Sequence, residues 1–228
     1  MKCSGDYIAL LDGDDYWTDK NKLNKQIQYL INNKDCFGVA HEYCMFDAES
    51  GKKIYHRFRG GIFQLSDLKW GRLPGQTGTI CFRNFLHDNL DDYKILINAS
   101  TSIGDRTIIL LVLLHGYFYC FDEEMSVYRF NSTKLSWSYQ KKVENSSFED
   151  MEYYNRLSIY STNKWGVSVP FIWNKCECVF DALKAYYFNR SIENKKILQK
   201  VNKLYDQNKV VLVLSCTLSL IHIFLGCV

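Results

Sequence analysis

Tyr7-Ile8-Ala9-Leu10-Leu11-Asp12-Gly13-Asp14-Asp15-Tyr16-Trp17-Thr18-Asp19 is the stretch on which the reading of the fold turns. Its apolar half predicts a buried β-strand, the kind that needs neighbours on both sides. Three carboxylates then fall within four residues at the strand's end, where open α/β sheets bind their ligands. Crowded carboxylates repel one another unless a cation or hydrogen-bond donors compensate them. A hard divalent ion does so, and Mg²⁺ takes one or two carboxylates plus phosphate oxygens. The same residues also suit a polar turn, because Asp-Gly is a common turn pair. Beyond them, Leu23, Ile27, Leu30 and Ile31 space a helical face over Lys22 to Asn32, with Thr18 or Asp19 as N-cap. The phrase is strand, acid cluster, aromatic pair, helix.

Further elements follow in order. Cys36 to Phe46 predicts a strand, Glu49-Ser50-Gly51-Lys52 a turn, and Lys53 to Phe58 the returning arm of a hairpin. Ser66 is a cap for a short helix reaching Trp70. Thr77 to Phe82 follows the Pro74-Gly75 breaker as a strand. Arg106 to His115 is a strongly apolar helix, with strands expected at Tyr117 to Phe121 and Met125 to Phe130. Asn131 to Asn145 is a polar linker. Helices are then expected over Phe148 to Tyr160, Lys175 to Phe188 and Ile192 to Tyr205, with their aromatics in a core. The fold class is α/β with a mixed sheet and a helical carboxyl-terminal segment.

Composition narrows the function. With 228 residues, 47% hydrophobic and 15% aromatic, the chain has material for a packed core and is not a disordered polymer. A net charge of +3, scattered basic residues and no zinc-finger spacing exclude a nucleic-acid partner. Nine cysteines, an odd number with no C-x-x-C, favour free thiols in a reducing cytosol.

Residues Tyr7 to Asp19, with Lys22-Leu23 and Gln26, resemble the D-x-D region of family 2 glycosyltransferases, which are inverting enzymes of the GT-A fold using nucleotide-sugar donors. The resemblance spans roughly residues 4 to 135. It implies that Mg²⁺ or Mn²⁺ is held against the donor diphosphate. It also implies Asp12 as the first acid of the motif, Asp12 and Asp14 as donor contacts, and Asp14 and Asp15 as metal contacts. By the same resemblance Asp105, after Ser102-Ile103-Gly104, is the general base that takes the acceptor hydroxyl proton. From spacing alone Asp105 is equally a helix N-cap. Gly75-Gln76-Thr77-Gly78-Thr79 matches an acceptor-side loop more loosely. Asp122 to Arg129 resembles the family's closing strand, with Asn131 where relatives carry His, and Arg129 remains to neutralise diphosphate charge. His41 stays unassigned.

The expected activity is therefore metal-assisted transfer of a sugar, with inversion, to a sugar or lipid-linked acceptor, in cell-surface polysaccharide or glycoconjugate synthesis. No Q-x-x-R-W motif points to a processive synthase. The alternatives are a nucleotidyltransferase and a non-catalytic membrane-tethered binding domain. The expected division is residues 1–135, a partial GT-A domain whose opening nucleotide-binding strands are absent, then 136–209, helical, then an apolar run over 210–228. That run is 19 residues long, enough to span a bilayer as an anchor. Leu218 to Ile223 is also what one frame of a transposon sequencing adapter encodes, so the second reading is an artefact. The chain is expected to be a fragment, inactive alone. Its expected place is the cytoplasm, with peripheral association at the inner face of the membrane.

Overall fold

A computed structural model describes residues 3–55, 60–100, 104–130 and 146–205. The chain divides into two compact units, Met1–Leu68 with Arg72–Lys142, and Lys69–Gly71 with Val143–Val228. The end of the returning hairpin arm at 56–58, residues 102–103 before Asp105, the polar linker 131–145 and the apolar run 210–228 lie outside the described residues.

The first unit is a mixed α/β layer. Its strands are β1 (Tyr7–Ala9), β2 (Tyr16–Trp17), β3 (Cys36–Asp47), β4 (Lys53–Tyr55), β5 (Gly61–Phe63), β6 (Cys81–Arg83) and β7 (Tyr117–Phe130). They form one seven-stranded sheet in the order β1-β6-β3-β7-β2, with β4 also on β3 and β5 also on β7. The long strands β3 and β7 run parallel, and every other pairing is antiparallel. This mixed sheet with its helices is consistent with a GT-A-like fold. The helices are α1 (Lys22–Asn32), α2 (Leu65–Leu68), α3 (Leu90–Asn98) and α4 (Asp105–His115). In α4, Thr107 and Ile109 to Leu113 are buried, as its apolar sequence predicts. The β3–β4 hairpin also forms where expected.

Several expectations are corrected. β1 buries Ile8 and pairs antiparallel with β6, its one partner among the described residues. Thr77 to Phe82 is not one strand: Thr77–Thr79 is a 3₁₀ turn, and only Cys81–Arg83 enters the sheet. The two strands expected between Tyr117 and Phe130 are one strand of 14 residues. The charged Asp122 to Glu124 are exposed and the strand runs through them, although the ladder with β3 skips Asp122 and Glu123 in a bulge there. Ser66 lies inside α2, while the Asp67 carboxylate accepts from the Gln64 N–H at 2.8 Å. β2, β5 and α3 were not anticipated.

Helix α1 has the expected bounds but a different inner face. Its buried residues are Lys22, Gln26 and Leu30, one helical turn apart, whereas Ile31 is exposed. Neither Thr18 nor Asp19 caps it; Asn21 occupies that position without a side-chain bond. At the other end Arg83 of β6 donates to the carbonyls of Leu30, Asn33 and Cys36. A cation from another strand thus satisfies carbonyls that a helix terminus leaves open. Leu30 packs with Cys36, Val39 and Cys81, and Tyr7, Ile27 and Tyr119 lie around them.

The second unit is helical: α5 (Ser147–Trp165), α6 (Ile172–Phe188) and α7 (Ile192–Tyr205). α5 ends at Gly166, whose φ of 66° is the left-handed C-cap conformation that glycine adopts without strain. Met151, Tyr153, Tyr154, Leu157, Phe171, Val179 and Val201 are buried there. Tyr187 and Phe188, expected in a core, are exposed. The described cysteines are free thiols, and all but Cys3 are buried. Among the described residues no helix is long and apolar enough to cross a membrane.

The rotation of α1 is directly testable by denaturant unfolding. Leu30→Ala should cost about 2–5 kcal/mol, as for a fully buried leucine. Ile31→Ala should stay within about 0.5 kcal/mol, as for an exposed position. Equal losses would refute the orientation described.

Candidate active site

The acidic loop between β1 and β2 is built as a turn. The Asp15 N–H donates to the Asp12 carbonyl at 3.1 Å. That reversal sends the side chains of Asp12 and Asp15 into different surroundings. Asp12 is exposed, Asp14 is half-buried, and Asp15 is only 8% exposed.

Two donors receive the buried carboxylate. The Arg129 backbone N–H, near the end of β7, donates to Asp15 Oδ1 at 2.8 Å. Gln76 Nε2 reaches Asp15 Oδ2 at 3.4 Å, and Gln76 Oε1 accepts from the Gly78 N–H at 2.8 Å. Burial raises the Asp15 pKa to about 6, against the Arg129 N–H, which lowers it; the charges of Asp14 and Asp12 raise it further. Asp12 is also raised, first by desolvation, then by Asp14, while a hydrogen bond from Thr77 opposes and the Asp105 charge adds. Asp12, Asp14 and Asp15 thus interact by charge within the loop, and Asp105 adds the weakest of the contributions to Asp12.

Asp105 is the first residue of α4, with Gly104 as the N-cap, and its Oδ1 accepts from the Arg106 N–H at 2.7 Å. Arg129 enters the site through its backbone; among the described residues its buried Nε has no hydrogen-bond partner. An unpaired guanidinium nitrogen is costly to bury, and an anion beside it would relieve that cost.

The loop Gly75–Thr79 does more than the sequence suggested. Besides Gln76 and Thr77 gripping two of the acids, its backbone is held from below. Trp17 Nε1 donates to the Gly78 carbonyl at 2.9 Å, and Gln26 Nε2 to the Thr79 carbonyl at 2.8 Å. Lys22 Nζ donates to Gln26 Oε1 at 2.9 Å and lies 4.1 Å from the Trp17 ring centroid. This lysine is 1% exposed, and burial lowers its pKa to about 8. A Cβ on Gly78 would stand 2.9 Å from Gln76 Nε2, so a larger residue would displace the amide that reaches Asp15, while Asp15 Oδ2 at 3.5 Å would be in ordinary contact. Lys22 and Gln26 were quoted only as part of the motif. Their signal was a pair of polar residues four apart on an amphipathic helix, which is ordinarily read as a solvated face.

His41 is 1% exposed, its Nδ1 2.7 Å from the Glu42 carbonyl, and burial takes its pKa down to about 4. It is therefore neutral at physiological pH, with Nδ1 carrying the proton toward that carbonyl.

Among the described residues no group of three or more His, Cys, Asp or Glu side chains converges on a point where they alone would hold a metal. The donor set instead suits a cation held by one or two carboxylates with ligand oxygens completing its shell, which is the habit of Mg²⁺. Burial is the main cause that raises Asp12 and Asp15, and the repulsion among the acids that adds to it is the charge excess such an ion neutralises.

Residues 1–90 match Glycosyl transferase family 2. Over 90 residues, 40% of the chain, the sequence is 65% identical to uncharacterized proteins of Mycobacterium bovis and Mycobacterium tuberculosis. The matched stretch spans 23% of the length of those relatives.

Asp15 makes a pH-dependent prediction. Its folded pKa of about 6 lies above the unfolded value of about 3.9. The folded state therefore keeps the proton longer, and stability falls as pH rises from about 4 through 6. Asp15→Asn should raise stability at pH 8 by roughly 2–3 kcal/mol and have little such effect below pH 4. Thermal unfolding at both pH values, without divalent ions, measures this. A variant less stable than wild type at pH 8 would show that the two hydrogen bonds outweigh the burial of charge.

Proposed function

We propose that this chain carries the metal–diphosphate and base half of an inverting glycosyltransferase, which transfers a sugar from a nucleotide-diphosphate donor to an acceptor hydroxyl. The observation that supports it most is the acidic loop itself, in which Asp12, Asp14 and Asp15 interact by charge and Asp12 also feels the charge of Asp105 at the start of α4. The family 2 match over residues 1–90 contributes the reaction class.

In this reading Asp14 and Asp15 hold Mg²⁺ or Mn²⁺, with Asp12 and Asp14 on the donor side. When bound, the ion supplies positive charge against the departing diphosphate. Asp15, fixed by Gln76 and the Arg129 N–H, keeps the loop in shape. The Arg129 guanidinium, whose Nε has no partner among the described residues, is the group that meets phosphate oxygen. Asp105 receives the acceptor's proton as the hydroxyl oxygen bonds to the anomeric carbon and the bond to diphosphate breaks. Inversion follows from that single displacement. The acceptor is a sugar or lipid-linked sugar of polysaccharide or glycoconjugate synthesis, and the site works in the cytoplasm.

The test is the product, measured with the complete protein. A panel of nucleotide sugars with Mn²⁺ should release free nucleoside diphosphate; pyrophosphate would point to nucleotidyl transfer instead. Asp105→Asn should lower kcat by roughly 10²–10⁴-fold while leaving Mn²⁺–nucleoside diphosphate affinity close to wild type. Asp14→Asn should weaken that affinity. Unchanged affinity in Asp14→Asn would remove the acidic loop from the metal site.

A further inference from the structure

The corner joining α6 to α7 carries the most exposed apolar residues of the described chain. Phe188 and Ile192 are each 75% exposed and Tyr187 is 72% exposed. Single exposed hydrophobics need no explanation, but a group of three at one turn does. The corner is also firmly built. Asn194 Nδ2 donates to the carbonyls of Ala185 and Asn189, at 3.2 and 2.9 Å, closing the end of α6. The Asn194 N–H donates to Ser191 Oγ at 3.1 Å, which caps the start of α7. The Tyr187 and Phe188 rings pack edge to face at 5.5 Å. These side chains are therefore held outward by a satisfied backbone.

The charge around them is mainly positive. Between residues 184 and 196 stand Lys184, Arg190, Lys195 and Lys196, all exposed, against the single acid Glu193. Aromatic and aliphatic tips ringed by flexible cations are what an anionic interface accepts. The rings enter the headgroup region, and the long cationic side chains reach phosphate. A second copy of the chain would bring the same four cations against one another, so charge complementarity disfavours a symmetric dimer through this corner.

We propose that the α6–α7 corner docks on the surface of a bilayer containing anionic phospholipid. Tyr187, Phe188 and Ile192 insert, while Lys184, Arg190, Lys195 and Lys196 contact headgroup phosphates. The inference rests on this corner alone and stands apart from the reading of the acidic site.

The experiment is co-sedimentation of the full chain with vesicles of phosphatidylcholine alone or mixed with phosphatidylglycerol. Wild type should sediment with the mixed vesicles and be released by added salt. Two double variants, Tyr187→Ser with Phe188→Ser and Arg190→Gln with Lys195→Gln, should each weaken binding on the order of tenfold. Both alter exposed side chains, and an unchanged circular dichroism spectrum verifies their fold. Every variant keeps residues 210–228, so binding through that apolar run would leave both as tight as wild type and overturn the proposal. No binding by wild type, or equal binding to neutral vesicles, would overturn it too. So would loss of self-association in the variants with vesicle binding intact, because the corner would then serve a second copy.

Discussion

The burial of one carboxylate, Asp15, organises the amino-terminal unit. Placing an ionisable acid out of water is unfavourable unless donors meet it. Here they come from two distant parts of the chain, the Arg129 N–H near the end of β7 and the Gln76 amide in the loop before β6. Neither donor cancels the penalty, since the group stays raised to about 6. The strand–loop–strand that carries Asp15 is thereby tied to both neighbours. Asp12 and Asp14 are left toward the outer side, and that division of labour gives a cluster of acids a defined shape.

Below the loop, a second polar system does work usually assigned to a hydrophobic core. Trp17, Lys22 and Gln26 pass hydrogen bonds and a cation–π contact from α1 to the carbonyls of Gly78 and Thr79. A 3₁₀ turn followed by a strand leaves carbonyls that no ladder can satisfy, and buried carbonyls without donors are rare. Lys22 is partnered by one amide and one indole face, which explains why burial dominates its lowered pKa. The helix is polar where it meets the site and apolar at Leu30, where it meets the sheet.

This explains what could be seen in the sequence and what could not. The bounds of α1, the β3–β4 hairpin and the apolar α4 were legible because periodicity and turn chemistry are local. The acids were legible because three carboxylates in four residues have few uses. The inward face of α1 was not, because periodicity counts Lys22 and Gln26 as solvent-facing, and only the carbonyls across from them reverse that assignment. The 3₁₀ turn at Thr77–Thr79 was hidden for a related reason. Its β-branched composition favours a strand, while the Gln76 side chain accepting the Gly78 N–H bends the backbone instead. Tyr187 and Phe188 look like core residues by composition, and only the end of α6 leaves them outside.

The parallel pair β3 and β7 sets how accurately the Arg129 N–H arrives. β3 has 12 residues and β7 has 14, yet they pair from Cys36 with Tyr117 to Asp47 with Phe130. The difference is absorbed by irregularities between Cys36 and Gly38 and on both sides of Glu42. Before the last two of these, Gly38 lies against the Phe118 ring, where a Cβ would come within 2.3 Å. After them, Phe46 faces Arg129. Side chains and backbone donors alternate along a strand, so a slip of one residue would turn the Arg129 N–H away from Asp15. The two irregularities around Glu42, coming after the Gly38 contact, therefore set the register that presents the donor the acidic loop requires.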